Sequence, residues 1–286
     1  MTDMYAPPGD PADERRMVAA HRRAATRLGV TLTGPAAWGW NGRTLGRRGR
    51  HGEYGDCWLR LDSAPVGRRP DTLWEGASAA WAALPGVPQP RLYTVDESRA
   101  DRMLYHAELA AYLSSEVCFG VPVLRDPLDL PDSWWASLRA SLATISAAST
   151  DRPTLRREWL DRAFPRFLGL PAPRHVEFTT AHGDLHWSNL TRQGPMLLDW
   201  EAYGTAPRGY DAALLLAYSL LVPQTAARVR AELGHLLDTP AGHIARLTAA
   251  AELLDNASRG DHPELVPHLR DMAAEAGASV AMTAAP

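Results

Sequence analysis

His182-Gly183-Asp184-Leu185-His186-Trp187-Ser188-Asn189 is followed, ten residues after Asn189, by Asp199-Trp200-Glu201. Asp184 and Asn189 sit five residues apart, an interval that lets one loop present both toward a common point. Thr191-Arg192-Gln193-Gly194-Pro195 has turn composition, and Met196-Leu197-Leu198 reads as a short buried strand. A hairpin closed by that turn returns the chain, so that Asp199 ends beside Asn189. An Asn amide oxygen and an Asp carboxylate are hard oxygen ligands of the kind that suit Mg²⁺.

Phosphoryl transfer asks for this kind of inventory. It needs a carboxylate near the attacking hydroxyl, cations on the β- and γ-phosphates, and ligands that hold those cations. The same letters also spell His182-x-Asp184-x-His186, which on a strand would share one face as in a metal hydrolase. No second His/Asp cluster of similar density accompanies it, and His51 and His175 stand alone in the sequence.

Outward from this segment, the chain has 286 residues, with 45% hydrophobic and 22% charged, an ordinary composition for a globular chain with a sizeable core. The net charge of −3 offers no basic field for nucleic acid. The polar, Pro-rich start carries no signal-peptide pattern, and the longest apolar run, 212–222, is too short to span a bilayer and suits a buried helix. Cys57 and Cys118 form no metal or CxxC spacing and read as buried thiols of a cytoplasmic protein. All 30 basic residues are arginine.

The coarse order of elements is a disordered start over 1–11, a helix over 13–28, then strand and turn character through 36–61 with a Gly-rich turn at 49–55. Cys57-Trp58-Leu59-Arg60-Leu61 alternates like a half-buried strand. A helix over 71–84 and two short strands, 91–95 and 102–108, follow. Helices are expected over 133–149, 155–167, 210–221, 224–237, 240–256 and about 264–276. The resulting division is 1–34 for tail and first helix, 35–108 for a nucleotide-covering lobe, and 109–286 for a helical lobe with the catalytic loop.

His182-x-Asp184-x4-Asn189, with Leu197-Leu198-Asp199-x-Glu201 and Gly209-Tyr210-Asp211, resembles the aminoglycoside phosphotransferase/choline kinase branch of the protein-kinase-like superfamily. The resemblance implies an α+β, two-lobed protein-kinase-like fold, with a small antiparallel β-rich N-lobe and a larger helical C-lobe. It implies Mg-ATP-dependent transfer of the γ-phosphate to a hydroxyl, with ATP and Mg²⁺ as cofactors. By the same resemblance Asp184 is the catalytic base, and Asn189 and Asp199 are the magnesium ligands. His182 braces the loop, Glu201 lies near the metal or acceptor, and Asp211 anchors the loop from below.

Kinase-like folds also cover the phosphates with a Gly-rich hairpin and pair a strand lysine with a helix glutamate. Gly39-x2-Gly42-x3-Gly46 is loosely similar to that hairpin, though an ordinary turn fits it too. Arg60 occupies the lysine position, with Glu75 as its expected helix partner; Arg60 also fits an arginine on a strand's exposed face. Arginine keeps the charge and can grip phosphate oxygens bidentately, but it is a planar fork rather than a compact ammonium.

The expected partner is a small-molecule hydroxyl acceptor such as an aminoglycoside, sugar or amino-alcohol, with no nucleic acid and no membrane. Glu158 and Asp161, with Trp187, Trp200 and Tyr203, would suit a cationic acceptor, or the aromatics pack the interior. The alternatives are a pseudokinase-type binding module and a kinase acting on a peptide Ser/Thr in natural-product biosynthesis.

Overall fold

A computed structural model describes residues 5–283. The chain divides into two compact units: one reaches to Trp81 and resumes over Pro90–Ser114, and the other comprises Ala82–Gln89 and the chain from Ser115 onward.

The first unit holds α1 (Pro11–Arg27), β1 (Val30–Leu32), β2 (Ala37–Trp38), β3 (Thr44–His51), β4 (Gly55–Pro65), α2 (Asp71–Trp74), most of α3 (Gly76–Ala83), β5 (Leu92–Ala100) and β6 (Met103–Ala111). The strands form an antiparallel sheet in the order β1-β3-β4-β6-β5, with β2 also beside β3. Alternation along β4 decides its two faces. Cys57, Leu59 and Leu61 pack with Met17, Ala20 and Ala24 of α1, which leaves Arg60 and Asp62 on the opposite face. Asp10 caps α1 by accepting from Ala12 N at 2.8 Å. Buried His21 ties the helix to the sheet through Nε2 and the Leu59 carbonyl, 2.9 Å apart.

Three expectations shift here. The helix over 71–84 breaks at Glu75 into α2 and α3, where Gly76 lowers the helical preference. The glycine-rich turn at 49–55 shrinks to residues 52–54, because Gly49 lies within β3. The strands read as 91–95 and 102–108 grow into one hairpin. Its two turn residues, Asp101 and Arg102, both take positive φ, 50° and 63°. Within the stretch expected to be disordered, residues 1–4 lie outside the described residues, whereas Pro8 packs against Gly42 closely enough to exclude a side chain there.

The second unit holds α4 (Asp132–Ala147), α5 (Arg157–Ala163), β7 (Phe178–Ala181), β8 (Gly204–Pro207), α6 (Tyr210–Ala217), α7 (Pro223–Leu237), α8 (Pro240–Ser258) and α9 (Val266–Thr283). Strands β7 and β8 pair antiparallel. Buried Trp134, Trp135 and Trp187 form an aromatic centre, with Trp134 stacked 6.4 Å from Trp187 and Trp135 edge-on to both. Every residue of α6 is buried, as its apolar run demands. The helix ends at Ala217, short of the expected Leu221, because the chain turns ahead of Pro223. Among the described residues no helix is long and apolar enough to cross a membrane. The chain is α+β, with its large antiparallel sheet in the first unit and most of its helix in the second.

Candidate active site

Strand β7 delivers the chain into the loop that begins at His182. The next two backbone amides are held from beneath: His182 N donates to Asp211 Oδ2 at 2.8 Å and Gly183 N to Asp211 Oδ1 at 2.9 Å. Asp211 stands in the first turn of α6, where the helix dipole favours an anion. Burial pushes its carboxyl above the usual carboxylate range, while the His182 ring and the two amides pull the other way. Gly183 has φ +90°, and a Cβ there would run into the Ala202 carbonyl oxygen and lie 2.8 Å from Thr154 Cγ2. The loop therefore requires glycine between His182 and Asp184, a position the motif reading passes over as variable.

His182 is wholly buried. Its Nδ1 accepts from Asp184 N at 3.3 Å, so the ring proton sits on Nε2 and is donated to the Leu198 carbonyl at 2.8 Å. Burial lowers its pKa, which keeps the imidazole neutral. With both nitrogens engaged, His182 ties the start of the loop to the strand before Asp199. It is unavailable as a ligand for the hydrolase-like His-x-Asp-x-His arrangement.

The returning hairpin brings the remaining motif residues together. Leu190 bridges Leu197, Thr191 N donates to the Met196 carbonyl at 3.2 Å, and Leu198 N donates to the Asn189 carbonyl at 2.9 Å. Flanking backbone holds it, with Cys118 N on the Leu190 carbonyl and Leu197 N on the Pro88 carbonyl, at 2.7 and 2.9 Å. Asp199 follows at φ 58°, ψ 71°, a left-handed conformation that Asp tolerates better than most residues and that tends to mark functional sites. Asp184 keeps 40% of its side chain exposed, Asp199 is exposed, Asn189 is buried and Glu201 is half-buried. One loop and one hairpin thus gather Asp184, Asn189 and Asp199, with His182 and Asp211 behind them.

This donor set fits a divalent cation of the magnesium type. Among the described residues no group of three or more His, Cys, Asp or Glu is arranged to hold a metal by itself. An Asn and an Asp on adjoining segments suit Mg²⁺, which takes its remaining oxygens from water and substrate phosphates. On α8, Glu252 accepts a hydrogen bond from Tyr210 Oη. Its carboxyl is pushed up to about 8 by burial and then by the negative charges of Asp184 and Asp255. Glu252 stands in a helix that also carries Arg246 and Asp255, so its charge alone gave no signal in the sequence.

The aromatics beside the loop serve packing. Trp187, Trp200 and Tyr203 are all buried, and Trp187 Nε1 donates to Ser219 Oγ at 3.0 Å. Glu158 and Asp161 lie exposed on α5, Asp161 paired with Arg157 at 3.0 Å.

In the first unit, Gly39 and Gly42 occupy the turn between β2 and β3, with Gly39 N donating to the Thr44 carbonyl at 3.0 Å and Gly42 at φ +66°. A Cβ on Gly46 would collide with the Trp58 ring. Arg60 lies opposite Glu108 in the β4–β6 register and reaches it, Nη1 to Oε2, at 3.5 Å. His106, stacked on Trp74, lies 3.4 Å from the same carboxylate. Glu75 stands 4.0 Å from Arg69. Only 18% of the Arg60 side chain is exposed, so it is no plain surface arginine. Glu108 and His106 escaped sequence reasoning, although they alternate on the face of β6 that matches Arg60 on β4.

Comparison with known proteins agrees with this layout. An aminoglycoside-3'-phosphotransferase of type VIII shares the fold with a TM-score of 0.52 at 20% identity, over 84% of this chain and 98% of that one. An amicoumacin kinase in complex with AMP-PNP and Ca²⁺ gives 0.50 at 11% identity, over 91% and 95%. No curated protein sequence matches the chain. The fold is therefore protein-kinase-like, with a β-rich N-lobe and a helical C-lobe. The profile of the phosphotransferase enzyme family matches residues 58–249, more than half of the chain, from β4 through most of α8 and across the whole of His182–Asp211, and the chain belongs to that family.

Proposed function

We propose that this protein transfers the γ-phosphate of ATP, with Mg²⁺, to a hydroxyl of a small molecule of the aminoglycoside, sugar or amino-alcohol kind. The observation that carries the reading is the accessible Asp184 carboxylate on a loop pinned by Asp211, with Asn189 and Asp199 on the adjoining hairpin. In this reading residues 35–108 supply the nucleotide grip and residues 109–286 the catalytic loop.

Asp184 accepts the hydrogen bond of the incoming hydroxyl and takes its proton as the oxygen bonds to the γ-phosphorus and the bond to ADP breaks. Asn189 Oδ1 and the Asp199 carboxylate would hold Mg²⁺. When bound, the ion supplies neutralising charge on the phosphate oxygens. Arg60, steadied by Glu108, grips phosphate oxygens in place of a lysine. Gly39 and Gly42 shape the turn over the nucleotide, and Glu201 borders the metal or acceptor position. The exposed acidic pair on α5 favours an acceptor that carries positive charge. Free, buried Cys57 and Cys118 suit a reducing, cytoplasmic setting.

The test is ATP consumption with Mg²⁺ against a panel of amines, sugars, aminoglycosides and hydroxyl-bearing peptides. Turnover with at least one small-molecule acceptor, abolished in Asp199→Ala, is expected. Turnover confined to peptides moves the acceptor class. Tight nucleotide binding with no consumption under any acceptor would replace the enzyme by a binding module.

A further inference from the structure

Buried His186 lies between the base and the metal-side asparagine, and the function just proposed gives it no task. The polar atoms around it determine where its proton is. Asn189 Nδ2 donates to the Asp184 backbone carbonyl at 2.9 Å. A carbonyl only accepts, so that atom is the amide NH₂ and the flip of Asn189 is settled. The same Nδ2 lies 3.2 Å from His186 Nε2. Nδ2 also lies 3.4 Å from Asp184 Oδ2, but Nε2 is the nearer partner for the second amide hydrogen, and two N–H groups cannot face each other in a hydrogen bond, so Nε2 is the acceptor. The imidazole proton then sits on Nδ1, 3.0 Å from Ser188 Oγ, which accepts it. Asp184 Oδ2 is 3.5 Å from Nε2, at the limit of any hydrogen bond. The Tyr218 ring stands edge-on to the imidazole, 5.5 Å away between centroids, and limits its rotation.

We propose that His186 is a positioning residue for Asn189: with the Asp184 carbonyl it occupies both hydrogens of the Asn189 amide, which leaves Oδ1 as the atom presented to the cation. Ser188 fixes the tautomer that makes this possible, in the way that outer partners of metal ligands commonly set ligand orientation. Without Nε2 as acceptor, that amide hydrogen is left with only the longer contact to Asp184 Oδ2, at 3.4 Å, and the side chain gains alternatives that turn Oδ1 away. The proposal rests on the phosphotransferase reading for its cation, but the tautomer does not.

Long-range ¹H–¹⁵N spectra of the full chain with ¹⁵N-labelled histidine, His186 being assigned by its loss in His186→Gln, read the tautomer directly. A proton on Nδ1 and a bare Nε2 are expected; a proton on Nε2 overturns the proposal. The second measurement is Mn²⁺ uptake in the presence of AMP-PNP, followed by electron paramagnetic resonance. His186→Phe keeps a ring and removes both nitrogens, and should weaken Mn²⁺ about 10- to 100-fold. His186→Gln restores an acceptor through Oε1 and should stay within about threefold of wild type. Wild-type affinity in His186→Phe, or an equal loss in both variants, overturns the proposal alone. Wild-type protein that takes up no Mn²⁺ with the nucleotide sinks the phosphotransferase reading and this proposal with it. Because the tautomer is read on the unmodified chain, a Phe variant that fails to fold leaves the test standing.

Discussion

Replacing Asp211 by alanine removes the acceptor of two backbone bonds at once, those from His182 N at 2.8 Å and Gly183 N at 2.9 Å. Both donors are buried with the carboxylate. A buried N–H left without a partner costs about 1–3 kcal/mol, so the pair costs about 2–6 kcal/mol. One effect opposes this. Burial pushes the Asp211 carboxyl up, so deleting it also relieves a desolvation cost. That relief supplies no new acceptor, and breaking such an arrangement from one side generally destabilises; the net loss expected is about 2–4 kcal/mol. Asp211→Asn retains one acceptor oxygen and turns its NH₂ toward the other amide, so about half that loss is expected. Amide hydrogen exchange reads the loop locally. A loss of about 2–4 kcal/mol corresponds to exchange at His182 and Gly183 that is roughly 30- to 700-fold faster in Asp211→Ala. Turnover should fall in parallel, because Asp184 is the next residue. Exchange at those two amides within threefold of wild type would refute the reasoning, since the loop would then be held by something else.

Gly183→Ala should destabilise by about 2–4 kcal/mol, because its φ of +90° is strained for any side chain and the new methyl meets the Ala202 carbonyl; an unchanged thermal midpoint contradicts this. Glu252, with its carboxyl at about 8 in the folded chain, binds a proton more tightly than it does unfolded. Its contribution to stability is present below the ordinary glutamate range and is lost as pH rises through about 8. Wild-type stability relative to Glu252→Gln should therefore decline between pH 5 and pH 9 in urea melts, and parallel profiles would dismiss the assignment. Arg60→Met should weaken a fluorescent ATP analogue about 10- to 100-fold, the worth of a charged hydrogen bond, with Arg60→Lys intermediate. Wild-type affinity in Arg60→Met would remove Arg60 from the nucleotide grip.

The geometry of the candidate site was legible because its signals are local. Asp184 and Asn189 share one loop, and the turn at 191–195 acts within a few residues, so spacing alone anticipates that Asp199 comes back to Asn189. The apolar run of α6 likewise announces a buried helix. What spacing leaves out is the tertiary reason for each residue. Gly183 looks like a variable position until the Ala202 carbonyl is seen to press on it, and the tie from Asp211 spans 29 residues of sequence. The N-terminal sheet was less legible for two physical reasons. Asp101-Arg102 makes a tight turn without glycine or asparagine, and Asp96, Glu97 and Arg99 lie on an edge strand that has little apolar alternation to display. The Arg60 environment depends on a cross-strand register, Arg60 opposite Glu108, which no short window of sequence contains.

The central claim is that Asp184 acts on the acceptor hydroxyl in a phosphotransferase whose nucleotide site is otherwise independent of it. Phosphorus NMR of Mg-ATP with the best acceptor from the panel, for wild type and Asp184→Asn side by side, addresses it most directly. Wild type should convert ATP to ADP with a new phosphate-ester signal. Asp184→Asn should bind the nucleotide with unchanged affinity and form that ester about 10²- to 10⁴-fold more slowly, the range for loss of a positioned base. An Asp184→Asn chain that forms the ester at the wild-type rate would contradict the role given to this loop.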